Sequence, residues 1–320
     1  MTEDTNKEIV NAPQPSAEEL PAATFETKPV AAPARSIAWW DVVVVMIVFM
    51  LTMGLGGVIS TMLGIRLPGE AYTTSFDADV LELAASMQAR FVAISYAISM
   101  VLCLVVLWIY RLFRGWNSLI SFRVLGWASP VRLLFGYLLM WCMSIAVEPL
   151  ASLLPGDQEG LGGGGWLLVS AVLLAPMFEE IIFRGYVAGA LRRLYGGLTA
   201  WVASSILFGL VHMVPSVVVT ATFSGLVLGF LFLRFRSLVL VITLHAMNNI
   251  TACFLRSVDL GDMTFREIMD GGKIYWGVYV LCVVISVVAL VRMGRVVKGI
   301  KSDNYQPKYN NIGNFCVKFK

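Results

Sequence analysis

Long apolar runs dominate the pattern of hydrophobic and polar positions along this chain. A helix needs about 20 mostly apolar residues to cross a bilayer, and eight stretches meet or approach that length. They are residues 39–65, 90–113, 131–154, 166–191, 198–214, 217–233, 238–255 and 274–293. The pattern predicts an all-α fold: a polytopic membrane helical bundle of about eight transmembrane helices with a polar intramembrane cavity. The fifth and sixth spans are the shortest.

The two ends of the chain lack this pattern. Residues 1–38 are rich in Pro, Ala and Glu and show no apolar period, which is typical of disordered segments. We therefore expect a disordered cytoplasmic tail over 1–38, a membrane helical domain over 39–298 and a second cytoplasmic tail over 299–320.

Basic residues are distributed unevenly between the connections. Alternate connections carry most of the Lys and Arg, and the opposite set is acidic, mixed or uncharged. The basic set holds Lys28, Arg35, Arg114, Arg123, Arg192, Arg193, Arg234, Arg236, Arg295, Lys298 and Lys301. Because Lys and Arg mark the cytoplasmic side, we predict a multi-pass protein of the cell membrane with both termini cytoplasmic.

Composition supports the membrane assignment. The 320 residues are 58% hydrophobic and 14% charged, whereas a soluble domain is about 25% charged. The net charge of +3 is too small to indicate a nucleic-acid partner. The expected surroundings are therefore the lipid bilayer.

Three charged residues interrupt the fourth apolar run, in the stretch FEEIIFRGYV over 178–187. A charged side chain at the bilayer centre costs about 2.5–3.5 kcal/mol, so such residues are by default functional. Glu180 and Arg184 are four residues apart and share one helix face, which predicts an ion pair. Glu179 points about 100° away and is left for another partner.

The two histidines of the chain also fall in apolar runs. His212 lies in the fifth run and His245 in the seventh, and no connection contains a histidine. Asn249 follows His245 by four residues and shares its helix face. These residues and the Glu pair are the candidate site.

The three polar patterns resemble those of a known family, the CPBP intramembrane proteases. That family includes the type II CAAX prenyl endopeptidases and the bacterial bacteriocin-processing and immunity proteins of the Abi group. Its patterns EExxxR, FxxxH and HxxxN stand here as EEIIFR over 179–184, FGLVH over 208–212 and HAMNN over 245–249. The resemblance covers about residues 166–252, which it identifies as the catalytic core.

The resemblance implies hydrolysis of a peptide bond in a membrane-associated protein or peptide. It implies that Glu179 and His212 activate water and that His245 and Asn249 stabilise the oxyanion. Glu180 and Arg184 would support this arrangement. Such a site would contain an activated water and hydrogen-bond donors for the tetrahedral intermediate.

Two questions stay open at this stage. Family members have been called metalloproteases, and Glu179, His212 and His245 are also zinc ligands by type. The absence of HExxH and the weak ligand chemistry of Asn249 favour a mechanism without a cofactor. The alternative functions are a secondary transporter with a buried Glu, His, Asn and Arg site and a non-catalytic bacteriocin-immunity membrane protein.

Overall fold

A computed structural model describes residues 37–69, 77–115, 130–156, 164–258, 260–261 and 263–302, and within these ranges the chain is helical and has no β-strand. The helices in chain order are α1 (Trp39–Met62), α2 (Ala78–Arg114), α3 (Pro130–Ala151), α4 (Gly165–Tyr195), α5 (Gly197–Leu210), α6 (Pro215–Phe235), α7 (Leu238–Ser257), α8 (Phe265–Ile268) and α9 (Lys273–Lys298). Most of the two predicted tails, residues 1–36 and 303–320, lies outside the described residues.

The helices confirm a polytopic helical bundle. In the described ranges, seven helices are long and apolar enough to cross a membrane, namely α1, α2, α3, α4, α6, α7 and α9. Helix α5 is apolar but has 14 residues, and its length of about 21 Å is less than a hydrocarbon core of about 30 Å.

Backbone hydrogen bonds show which other helix ends lie beside the two ends of α5. Gly197 N–H, at its start, donates to the Ile300 carbonyl just beyond α9 at 2.7 Å. Beyond its far end, Ser216 N–H in the first turn of α6 donates to the Pro155 carbonyl beyond α3 at 3.1 Å. Helix α5 therefore runs from the C-terminal end of α9 to the C-terminal end of α3.

Several predicted helix ends were wrong, among them the start of the second span and the end of the fifth. Helix α2 begins at Ala78 instead of residue 90, because Asp77 caps it by accepting a hydrogen bond from Asp79 N–H at 3.0 Å. The predicted span 198–214 ends early, at Leu210. Met213 has a left-handed φ of 63°, and Pro215 holds the preceding residue in an extended conformation. His212 therefore lies in the turn between α5 and α6.

Close helix contacts at small residues hold the bundle around α4. A Cβ at Gly56 of α1 would lie 2.5 Å from the Ser95 carbonyl oxygen of α2, and one at Gly209 of α5 would lie 2.7 Å from the Val218 carbonyl oxygen of α6. Only glycine permits such approaches in membrane bundles. Helix α4 packs against α1, α2, α5 and α7, and residues 182–191 within it are all buried.

Candidate active site

Helix α4 presents the Glu pair from a short regular segment between two wider turns. The α-helical segment Ala175–Glu180 is preceded by the π-helical segment Val169–Leu174 and followed by the π-helical segment Ile181–Val187. Single π turns inside α-helices occur frequently at functional sites. Glu179 lies about 21 Å from the start and about 24 Å from the end of α4 at 1.5 Å per residue, so it is near the middle of the helix.

Glu180 contacts two basic side chains at once. Its Oε2 lies 3.1 Å from Arg184 Nε, the i,i+4 pair expected from the sequence, and both side chains are fully buried. Its Oε1 lies 3.1 Å from Nδ1 of His245 on α7. Because a carboxylate only accepts hydrogen bonds, Nδ1 carries the proton and Nε2 points to the other side of the ring. Glu180 therefore orients His245 as well as pairing with Arg184.

Glu179 faces two other helices. Its Oε1 accepts a hydrogen bond from the Tyr96 hydroxyl of α2 at 2.9 Å. Its Oε2 lies 4.0 Å from His245 Nε2, which is beyond hydrogen-bond reach. This buried Oε2 atom has no hydrogen-bond partner among the described residues. The two oxygens of Glu179 thus have different environments.

Asn249 completes the backbone hydrogen bonding of α4. In the first π turn, Ala175 N–H donates to the Ser170 carbonyl, five residues back. By the same pattern, the Ala171 carbonyl would accept from residue 176, but this residue is Pro176, which has no N–H. Asn249 Nδ2 donates to that carbonyl at 2.7 Å. The Asn249 amide thereby fixes α7 to α4 about two turns before the Glu pair.

The ring of Phe208 packs at the centre of the cluster. Its centroid lies 4.7 Å from Arg184 Cζ, 5.1 Å from the His212 ring and 5.6 Å from the His245 ring. His212 Nδ1 also forms a 2.9 Å hydrogen bond with the Phe208 carbonyl. His212 therefore meets the rest of the site through Phe208, whereas His245 meets both glutamates directly.

The charges of the cluster nearly balance. Glu179 and Glu180 carry two negative charges against one positive charge on Arg184, so an imidazolium at His245 would make the group neutral. Nη1 and Nη2 of Arg184 are buried without a hydrogen-bond acceptor in the described part of the chain. The Phe208 ring face is their electrostatic contact.

The side chains do not form a metal-binding set of the kind considered above. Within the described ranges, no group of three or more His, Cys, Asp or Glu residues lies close enough to hold a metal ion. Glu179, His212 and His245 are thus not arranged as three ligands of one ion.

Sequence reasoning missed two partners of the site. Tyr96 lies 83 residues before Glu179, and the stretch around it contains no charge that would mark it. The bond between Asn249 and Ala171 was also unexpected. Its one sequence signal is Pro176, which deprives a carbonyl inside an apolar run of its helical donor.

Comparison with known protein families gives a match over the part of the chain that contains the cluster. Residues 162–251 match a family model described as Type II CAAX prenyl endopeptidase Rce1-like. This segment includes the Glu pair, Arg184, both histidines and Asn249, and the match supports the CPBP assignment. It also supports a CAAX-type protease at the level of the family. Neither the curated proteins nor the solved structures include a match to the chain.

Proposed function

On the premise that residues 162–251 form a CPBP core, we propose that the chain is an intramembrane endopeptidase with Glu179 as its general base. The observation that carries this proposal is the convergence of Glu179, Glu180 and His245 from α4 and α7, with contacts of 3.1 and 4.0 Å. Buried acids and an imidazole at membrane depth are the groups that acid-base hydrolysis uses.

The proposed reaction begins at Glu179 Oε2. This oxygen takes a proton from a water molecule as the water oxygen attacks the carbonyl carbon of the scissile peptide bond. The carbonyl electron pair moves to its oxygen and forms the tetrahedral oxyanion. When the C–N bond breaks, the proton held by Glu179 passes to the leaving nitrogen. Atoms and charges balance without a further reactant.

His245 and Asn249 are proposed to stabilise the oxyanion. With Nδ1 held by Glu180, an imidazolium at His245 donates from Nε2, beside the reacting oxygen of Glu179. The Asn249 amide has a second N–H besides the one bound to Ala171. Preorganised donors of this kind each contribute about 10²–10³-fold to the rate. His212 assists proton transfer from water through Nε2, because its Nδ1 is engaged by the Phe208 carbonyl.

The substrate class follows from the surroundings of the site. A site on helices that span the bilayer meets polypeptides that are themselves embedded in or attached to the membrane. We therefore propose a membrane-associated peptide or protein as substrate. Described basic residues at the ends of α2, α4, α6 and α9 (Arg114, Arg192, Arg234 and Lys298) support cytoplasmic termini.

Mass spectrometry of newly formed peptide termini tests the proposal. Membranes from cells that carry the intact chain are compared with membranes from cells that carry Glu179→Gln. We expect a set of new termini with the intact chain that Glu179→Gln lacks, because the amide cannot accept the proton.

Glu148→Gln is the matched control for a second acid in a membrane helix. Glu148 of α3 accepts a hydrogen bond from Phe265 N–H, and a glutamine oxygen preserves this acceptor. This variant is expected to produce the same termini as the intact chain. Identical termini from the intact chain and Glu179→Gln would end the enzyme proposal and favour the non-catalytic alternative.

A further inference from the structure

Helix α2 lies outside the segment that matches the protease family, yet it contributes a hydrogen bond to the proposed catalytic base. The family match covers residues 162–251, whereas Tyr96 lies in α2 (Ala78–Arg114). The Tyr96 hydroxyl donates to Glu179 Oε1 at 2.9 Å. Tyr96 is partly buried, and the contact joins side chains inside two membrane-spanning helices.

The packing of α2 directs Tyr96 towards α4. Helix α2 meets α1 at Ser95 and Ser99, and Ser99 Oγ donates to the Met53 carbonyl of α1 at 3.4 Å. The approach of Gly56 to the Ser95 carbonyl oxygen keeps these two helices close. Helix α2 also packs against the first π segment of α4. The Tyr96 ring is therefore held between fixed backbones.

We infer that Tyr96 is a positioning residue that makes Glu179 Oε2 the oxygen that receives the proton from water. This inference rests on the proposed function. With Oε1 engaged by Tyr96, the carboxylate cannot rotate without losing a charge-assisted hydrogen bond. Oε2 is then the oxygen that faces His245 Nε2, at 4.0 Å. Tyr96 itself exchanges no proton in the reaction.

The test compares two tyrosines that each bridge membrane helices through a hydroxyl. Tyr96→Phe removes the donor to Glu179 and keeps the ring. Tyr137→Phe is the control, because Tyr137 bonds to Thr251 at 2.6 Å and does not contact the Glu pair. The assay uses purified chain in liposomes and a membrane peptide that contains a cleavage site mapped by the terminal analysis above.

Tyr96→Phe is expected to lower kcat by about 10- to 100-fold, as misplacement of a catalytic group does, and to leave KM within about twofold, because the substrate contacts are unchanged. Tyr137→Phe is expected to leave both constants unchanged. If Tyr96 had only a structural role, Tyr96→Phe would instead lower the thermal stability of the protein and would not lower kcat selectively over KM.

A second background shows whether Tyr96 acts through Glu179. Glu179→Asp shortens the side chain and draws its carboxylate away from the Tyr96 hydroxyl. In this background we expect Tyr96→Phe to cause no further loss of kcat. A full additional loss would mean that Tyr96 acts elsewhere and would overturn the inference.

The outcomes separate this inference from the proposed function. Normal kcat for Tyr96→Phe, with an active intact chain and an inactive Glu179→Gln variant, would overturn the role of Tyr96 alone. If the intact chain does not cleave the peptide, the proposed function and the role of Tyr96 fall together.

Discussion

Among the described residues, two carboxylate–arginine pairs have surroundings that differ sharply. Asp41 at the start of α1 pairs with Arg114 at the end of α2 at 3.0 Å. Asp41 also accepts hydrogen bonds from Ala38 N–H and the Tyr110 hydroxyl, each at 2.6 Å. The Arg114 side chain is 19% exposed, so it reaches the end of the bundle. This pair joins the start of α1 to the end of α2 through hydrogen bonds.

The pair of Glu180 and Arg184 lies in the middle of α4 and has no exposed surface. Glu180 uses its second oxygen for His245, and two Arg184 nitrogens have no hydrogen-bond acceptor in the described ranges. A buried pair of this kind is a weak source of stability. The difference indicates that the first pair stabilises the helix ends, whereas the second holds the His245 imidazole in place.

The largest expected difference comes from removing each arginine. Arg184→Met leaves Glu180 buried with one basic partner and should lower the free energy of unfolding by about 3–5 kcal/mol. Arg114→Met leaves Asp41 two other donors, so a loss of about 1 kcal/mol is expected. SDS titration in mixed micelles, followed by circular dichroism, measures both. Equal losses would contradict the distinction between the two pairs.

Replacing both members of the inner pair sharpens the comparison. The double variant Glu180→Leu with Arg184→Met exchanges two charges for apolar side chains, and we expect its stability to return to within about 2 kcal/mol of the intact chain. Cleavage should remain lost, because His245 no longer has the Glu180 contact. The account would be contradicted if the double variant lost as much stability as the sum of the losses in Glu180→Leu alone and Arg184→Met alone.

A smaller effect is expected at Asn249. Asn249→Ala leaves the partly buried Ala171 carbonyl without a donor inside a membrane helix, which should cost about 1–3 kcal/mol. Pro176→Ala restores an N–H at that position, so the loss from Asn249→Ala should shrink in this background.

Asn248→Ala is the control for Asn249 in both backgrounds. Cleavage should stay impaired in the double variant of Pro176 and Asn249, because the proposed oxyanion donor is still absent. Asn249→Ala could cost the same stability in the Pro176→Ala background as in the intact chain. That result would show that the Asn249 amide does not replace a missing helical donor.

Features that depend on residues close together in the sequence were predictable. The lengths of apolar runs gave the long helices, because every residue of a spanning helix must meet lipid or protein. The spacing of Glu180 and Arg184 gave their ion pair, since four residues make about one turn. The helix ends were less accurate. Left-handed Met213 ended α5 before His212, and no hydropathy pattern encodes that turn.

Contacts between distant helices could not be predicted in the same way. His245 and Glu180 are 65 residues apart, and a motif says that both belong to a site without saying which atoms meet. Tyr96 carries neither charge nor motif. Its role depends on how α2 packs between α1 and α4, which is decided by the shapes of many side chains together.

Oxygen labelling tests the central claim, hydrolysis with Glu179 as the base, most directly. Purified chain in liposomes is given the mapped membrane peptide in water enriched in ¹⁸O, and the products are weighed by mass spectrometry. The account predicts one labelled oxygen in the new carboxyl terminus with the intact chain and no cleavage with Glu179→Gln. Labelled product at an equal rate from both proteins would contradict it.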